Sequence, residues 1–308
     1  MGRYVARRLL QMIPVFIGTT LLIFLMVHSL PGDPVRAMWG DKAADPAQIE
    51  QLRHSFGLDK PLWQQYVDYM KGLFQGDFGQ TFGGRPVWDE VSEAFPVSVR
   101  LAVVALLIEI VLGIGLGAWA GLKAGKAADT GVLIFTLVVI SIPVFVLGYF
   151  AQTIFANQLG WVTPNVQDSE DITQLVLPGF VLALLSMAYV ARLTRTTFAE
   201  NLRADYMRTA VAKGLPRRRV VGVHLLRNSL IPVVTYLGAD FGTLFGGAVV
   251  TEGIFNVQGV GNLLYKALSQ REGSTITGVV TIFVLVFLVL NLIIDLLYAV
   301  LDPRIRYA

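Results

Sequence analysis

The chain has no cysteine, which excludes disulfide bridges, thiolate metal sites and cysteine nucleophiles. Histidine is nearly absent too: His28, His54 and His224 lie too far apart in sequence to form a spaced metal-binding set. Charge is scarce, at 15% of residues against roughly 25% in an average soluble domain. A net charge of +3 is small, and a basic patch for nucleic acid would need it clustered on a soluble face. The nearest approach to a phosphate loop is Gly121-Leu122-Lys123-Ala124-Gly125-Lys126-Ala127. It has three residues between its glycines where four are needed, and Ala127 stands where a magnesium-binding Ser or Thr belongs. No nucleophile–base arrangement presents itself. The chain reads as non-catalytic, without a cofactor or metal of its own.

What it has is apolar length. Hydrophobic residues make up 54% of the chain and mean hydropathy is +0.60. Six runs approach or exceed the ~20 residues that cross a bilayer as helix: Leu9–Val27, Leu101–Leu122, Thr130–Phe155, Leu175–Ala191, Leu230–Val250 and Thr275–Leu301. Pro143 is expected to kink the third. Arg3, Arg7 and Arg8 before the first run would also suit a signal peptide. The run is longer than the ~7–15 residues of a signal core, and no small-residue cleavage site follows, so a retained span is expected.

Basic residues accumulate on the cytoplasmic side of a membrane. Here they mark the N-terminal tail, Lys123 and Lys126 between spans two and three, and residues 192–229 between spans four and five. The span three–four loop carries Asp168, Glu170 and Asp171 and no base. Both termini are therefore expected in the cytoplasm, and residues 31–95 outside. That divides the chain into a tail and first span (1–30), an external segment (31–95) and a five-span core (96–308) holding the cytoplasmic loop 192–229. In the external segment, Asp45-Pro46 predicts a helix start and Gly57 its stop, with Ile49, Leu52 and Phe56 on one face. A second helix from Asp59-Lys60-Pro61 places Leu62, Tyr66, Tyr69 and Leu73 on one side, adjoined by Trp63, Val67 and Met70. These faces must bury against each other, the bilayer surface or an external partner.

In the basic loop, Asp205 is expected to cap a short helix that Gly214 closes. Met207, Ala210, Val211 and Gly214 share a face at i, i+3, i+4, i+7, which suits either a groove on a partner or the lipid surface. Arg208-Thr209-Ala210-Val211-Ala212-Lys213-Gly214 resembles the coupling-loop motif of binding-protein-dependent ABC importer permeases, of general form Glu-Ala-Ala, three residues, Gly. Arg208 and Thr209 depart from that form, and Arg227 stands near a missing proline. Asp205 to Ala210, then His224-Leu225-Leu226-Arg227-Asn228-Ser229-Leu230-Ile231-Pro232, is similar to the peptide/nickel subfamily's version. Leu30-Pro31-Gly32-Asp33-Pro34, Phe56 to Leu62, Gly76-Asp77-Phe78-Gly79, Glu252-Gly253-Ile254-Phe255, Gly259-Val260-Gly261 and the tail Leu301 to Tyr307 match it in order, in the manner of the dipeptide-permease B-type subunit.

The resemblance implies an all-α, six-span type I permease in a prokaryotic cell membrane. It also implies a second homologous permease, two ATP-binding subunits carrying ATP and magnesium, an external substrate-binding protein, and no nucleic acid. Asp205, Met207, Arg208, Ala210, Val211 and Gly214 would couple to an ATPase. The implied cargo is dipeptides or short oligopeptides, with nickel or haem as the alternative within the class. Rivals from other classes are an ion-driven secondary transporter, which predicts an inverted repeat not found here, and a non-transporting membrane receptor subunit.

Three carboxylates fall in apolar runs: Glu109, Asp240 and Asp295. Glu109, Gly113, Gly117 and Gly121 share a helix face with the small-residue spacing of close packing, which reads Glu109 as a buried interhelical hydrogen-bonding group. Gly238, Gly242 and Gly246 form a second stripe. Asp240 lies about 200° from its neighbours in that stripe, so it is expected to face the pathway or a partner permease. Asp295, beside Asn291, is expected to pair structurally.

Overall fold

A computed structural model describes residues 2–29, 46–55 and 57–301. The motif at Leu30–Pro34, Asp45, Phe56, the tail beyond Leu301 and the side chains of Leu52 and Asp295 lie outside what it describes. Among the described residues the regular structure is helical, joined by turns and loops, with an isolated bridge between Gln80 and Pro86. Its helices are α1 (Gly2–His28), α2 (Pro46–Ser55), α3 (Leu62–Phe74), α4 (Val87–Ile108), α5 (Ile114–Leu122), α6 (Ala127–Ser141) and α7 (Val144–Ala151). They continue as α8 (Val176–Asn201), α9 (Asp205–Ala212), α10 (Arg217–Arg219), α11 (Leu226–Phe255), α12 (Val260–Gln270) and α13 (Gly273–Leu301). Wide π-type turns join α4 to α5 at Glu109–Gly113 and α10 to α11 at Val220–Leu225, so each pair is one continuous span.

Five helical stretches among the described residues are long and apolar enough to cross a membrane, and the broken pair α6–α7 is a sixth when its halves are counted as one span. The break is sharper than the kink the sequence predicts. Pro143 forces the residue before it out of the helical region, and Ile142 sits extended at φ −101°, ψ 129°. The two halves meet at 106°. Pro178, by contrast, occupies the first turn of α8, where a missing N–H breaks no ladder bond.

By contacts the chain forms two compact units, residues 97–257 and residues 1–96 with 258–308. In the first, α8 is the central helix, with α5, α6, α7, α11 and the Glu109–Gly113 turn packed around it. Glycines set its approach to α5. A Cβ at Gly117 would collide with the Ala191 carbonyl oxygen and come within 2.6 Å of Thr194 Cβ. At Gly113 it would meet Val190 Cγ1 at 2.8 Å, and at Gly121 Phe198 Cβ at 2.5 Å. Far from these contacts, the Ser98 hydroxyl donates to Glu252 at 2.7 Å and Gln152 donates to the carbonyls of Pro164 and Ile254. In the second unit α13 packs on α1 and α12. Residues 77–87 fold over the start of α13, where Gly278 lies against the Phe78 carbonyl and Val87.

Candidate coupling site

The short helix α9 follows α8 after a three-residue turn. Asp205 is its first residue rather than a side-chain cap: Ala204 holds the cap position and no side chain caps the end. Asp205 lies in solvent, 3.7 Å from Arg208 one turn along. The C-terminus is closed as the sequence predicts. Gly214 has φ +75°, its N–H donates to Val211 O at 2.9 Å, and Leu215 N–H donates to Ala210 O at 3.3 Å. This is the paired-bond Schellman stop, which favours glycine because a Cβ strains a positive φ.

The apolar face of α9 is split, which corrects the sequence reading. Met207 and Ala210 are buried in this chain's own core with Phe198, Val220 and Leu225, and Leu215 packs against them. Val211 stays 64% exposed, beside exposed Tyr206, Arg208 and Thr209. The inner face fastens the helix to the end of α8, and the outer edge is free in this chain.

Beside this core lies an ion pair with no local sequence signal. Asp129, in the first turn of α6, receives both Arg195 Nε and Nη2, at 2.8 and 2.7 Å, and the Gly125 N–H at 2.8 Å. The planar guanidinium fits a carboxylate in this two-bond manner, and such charge-assisted bonds are the strong ones. Arg195 is one turn before Phe198 on α8, and Gly121 touches both residues. The turn between α5 and α6, the end of α8 and helix α9 are thus joined through adjacent contacts. Asp129 and Arg195 are 66 residues apart, so only the fold brings them together.

Residues 113–307 match the family described as binding-protein-dependent transport system inner membrane component, and residues 1–102 match its N-terminal companion. The chain is 40% identical to the di/tripeptide transport system permease protein of Pseudomonas aeruginosa, over 99% of this chain and 98% of that one. It is 38% identical to the dipeptide transport system permease protein of Escherichia coli K12, over 100% and 99% of the two chains. The glutathione transport system permease protein of the same strain is 39% identical over the full length of both. The chain belongs to this permease family. A crystal structure of an amino acid ABC transporter matches the fold with TM-score 0.53 at 14% identity, over 68% of this chain and 92% of that one.

This permease of the dipeptide ABC-importer type, a multi-pass inner-membrane component, also buries two carboxylates against each other. Glu109, in the wide turn, is 0% exposed, and Asp240 on α11 is 7% exposed. They lie close enough for their charges to repel, with Tyr236 in the same cluster. Asp240 Oδ1 accepts from the Thr243 hydroxyl at 2.8 Å and the Tyr236 hydroxyl at 3.4 Å. Asp240 Oδ2 and both Glu109 oxygens have no hydrogen-bond partner, so Glu109 is buried as the sequence predicts but makes none of the interhelical hydrogen bonds expected of it. The expectation that Asp240 turns away from the packed face is overturned. It lies on the buried side of α11, with Val233, Leu237 and Leu244. The glycine stripe is not that side throughout: Gly242 is buried, Gly238 is half-buried, and Gly246 is exposed with open space around its Cβ position.

From this geometry Asp240→Asn is expected to leave cargo preference unchanged. The amide keeps an acceptor for Thr243 and adds a donor for Glu109, so stability should change by no more than about 1.5 kcal/mol, in the stabilising direction. Thermal unfolding and uptake of free against N-acetylated dipeptide, on one preparation, check both halves. Selective loss of the free-amine cargo would return Asp240 to the pathway.

Proposed function

We propose that this permease forms half of a translocation pathway with a second, homologous permease. Two cytoplasmic subunits holding ATP and magnesium drive it, and an external binding protein supplies dipeptides or short oligopeptides. Both termini and the 192–229 loop lie in the cytoplasm on this reading, which the basic residues of the loop support. The observation that carries the proposal is helix α9, with its inner face packed on α8 through Met207 and Ala210 and its outer edge bare. A lone eight-residue helix is too short to be stable. Fixed at one face to a span and closed by Gly214, it can transmit a push from a partner groove into the bundle. The cargo assignment rests on relatives that carry dipeptides, tripeptides and glutathione, itself a tripeptide.

The test uses Val211, because Ala210 is committed to the permease's own core. Val211→Glu places a charge on the docking edge and disturbs nothing buried. It is expected to weaken ATPase recovery at least tenfold, about 1.4 kcal/mol, with membrane insertion normal. Unchanged co-purification and unchanged uptake would refute the coupling role. Competition of labelled dipeptide uptake by tripeptide, glutathione, nickel and haem would decide the cargo class.

A further inference from the structure

Helix α3 falls in the segment that the sequence places outside the membrane, yet its hydrogen bonds reach deep into two spans. The Tyr66 hydroxyl bonds to Thr20 Oγ1 at 3.0 Å and donates to Ile17 O at 3.2 Å. The Tyr69 hydroxyl bonds to Thr281 Oγ1 at 2.6 Å and donates to Thr277 O at 3.3 Å. Thr20 is eight residues inside the His28 end of α1, and Thr281 eight residues inside the Gly273 end of α13. At 1.5 Å per residue, both anchors lie about 12 Å along their spans. A tyrosine side chain is too short to cover that distance from a helix standing clear of the bilayer. The ring of Phe24, buried on α1, lies 5.4 and 6.3 Å from those of Tyr66 and Tyr69 and holds α3 at the same level.

The apolar arc of α3 is wider than the contact it makes. Tyr66 and Tyr69 point at the spans, Met70 sets its sulfur 3.9 Å from Thr20 Oγ1, and Trp63, Val67 and Phe74 follow beside them within an arc of about 40°. Trp63 is 69% exposed, Val67 40% and Phe74 84%. The polar residues take the opposite arc. Lys60 pairs with Asp68 at 2.8 Å, and Gln65 bonds to the Lys60 carbonyl and to His28. The surface of α1 at the same level is also exposed and apolar, at Leu21, Leu22, Leu25 and Met26. A helix with one apolar arc on protein, its continuation bare and a polar arc opposite has the amphipathic form of an interfacial membrane helix.

We propose that α3 lies in the bilayer interface, with the stripe of Trp63, Val67 and Phe74 immersed in lipid acyl chains. On the orientation given under the proposed function, this is the outer leaflet. Its depth rests on the tyrosine anchors together with the His28 and Gly273 helix ends lying at the membrane surface, and does not depend on that orientation. The stripe continues the hydrocarbon-facing surface of α1, so α3 widens the membrane-embedded body of the permease instead of projecting toward a delivery protein.

The experiment reconstitutes the full transporter complex in phosphatidylcholine vesicles with or without brominated acyl chains, and measures tryptophan emission of wild type against Trp63→Phe. The difference is the Trp63 signal. Acyl bromine is expected to quench it several-fold more than aqueous iodide does. Stronger quenching by iodide would place the stripe in water and overturn the proposal. So would resistance to both quenchers, which means a protein partner covers it. The chain has no cysteine, so if Trp63→Phe fails to fold, Phe74→Cys, spin-labelled on the purified permease before the complex is assembled, gives the one label position on this chain. Higher accessibility to oxygen than to a water-soluble nickel chelate supports immersion, and the reverse overturns it. Neither readout depends on transport, so failure here would leave the importer assignment standing, and loss of ATPase coupling would leave α3 where it is.

Discussion

Gly117→Val is expected to abolish recovery of folded permease, while Gly115→Val on the same helix is tolerated. A Cβ at Gly117 would run into the Ala191 carbonyl, and the next nearest atoms are Thr194 Cβ and the Ala191 carbonyl carbon, at 2.6 and 3.1 Å. Two of these three belong to the α8 backbone, which cannot rotate away as a side-chain tip would. Overpacking typically costs about 1–3 kcal/mol where neighbours can adjust; here the helices must separate, and the loss should exceed that range. Gly115 has nothing within 4 Å of its Cβ position and faces outward. Detergent-extracted yield and thermal unfolding of the two variants provide the comparison. Similar yields would mean that α5 and α8 are not held at this distance.

Breaking the Asp129–Arg195 pair from one side should be worse than removing it whole. Asp129 is almost fully buried and Arg195 keeps 27% of its side chain exposed. Removing one member of a fully buried pair costs about 3–5 kcal/mol; the exposure of Arg195 puts this pair toward the lower figure. Arg195→Gln leaves a buried carboxylate with the Gly125 N–H and a weaker amide donor. Asp129→Asn in the same chain removes that stranded charge. The double variant is therefore expected to unfold at a higher temperature than Arg195→Gln alone, with a coupling energy of about 1–3 kcal/mol from the four-variant cycle. Additive effects would show that the pair contributes nothing as a pair. Because Arg195 is one turn from Phe198, which packs on Met207 and Ala210, the single variant should also lower uptake per ATP hydrolysed.

The spans, the Pro143 break and the Gly214 stop were legible because each depends on local chemistry. Crossing hydrocarbon requires a continuous apolar run, proline restricts its predecessor, and a helix stop at positive φ favours glycine. The Gly113–Gly117–Gly121 stripe was legible for the same reason, since only small residues allow such close approach. The Asp240 reading failed at a different step. Helical periodicity gives the angle between Asp240 and the glycines, but not which of the two faces meets α8 and the Glu109 turn. Spacing also put Met207, Ala210 and Val211 on one face, and could not tell where along that face the permease's own core ends.

What the sequence by itself determined is a six-span permease with a short helix in a basic loop, because membrane insertion and helix ends are set by residues near one another in the chain. What only the tertiary structure decided is the azimuth and depth of those helices. The Asp129–Arg195 pair, the Glu109–Asp240 contact and the Tyr66 and Tyr69 anchors join residues 46 to 212 positions apart. Such contacts form when helices dock, and docking is decided by the summed fit of all the faces. No single stretch of the chain carries that sum.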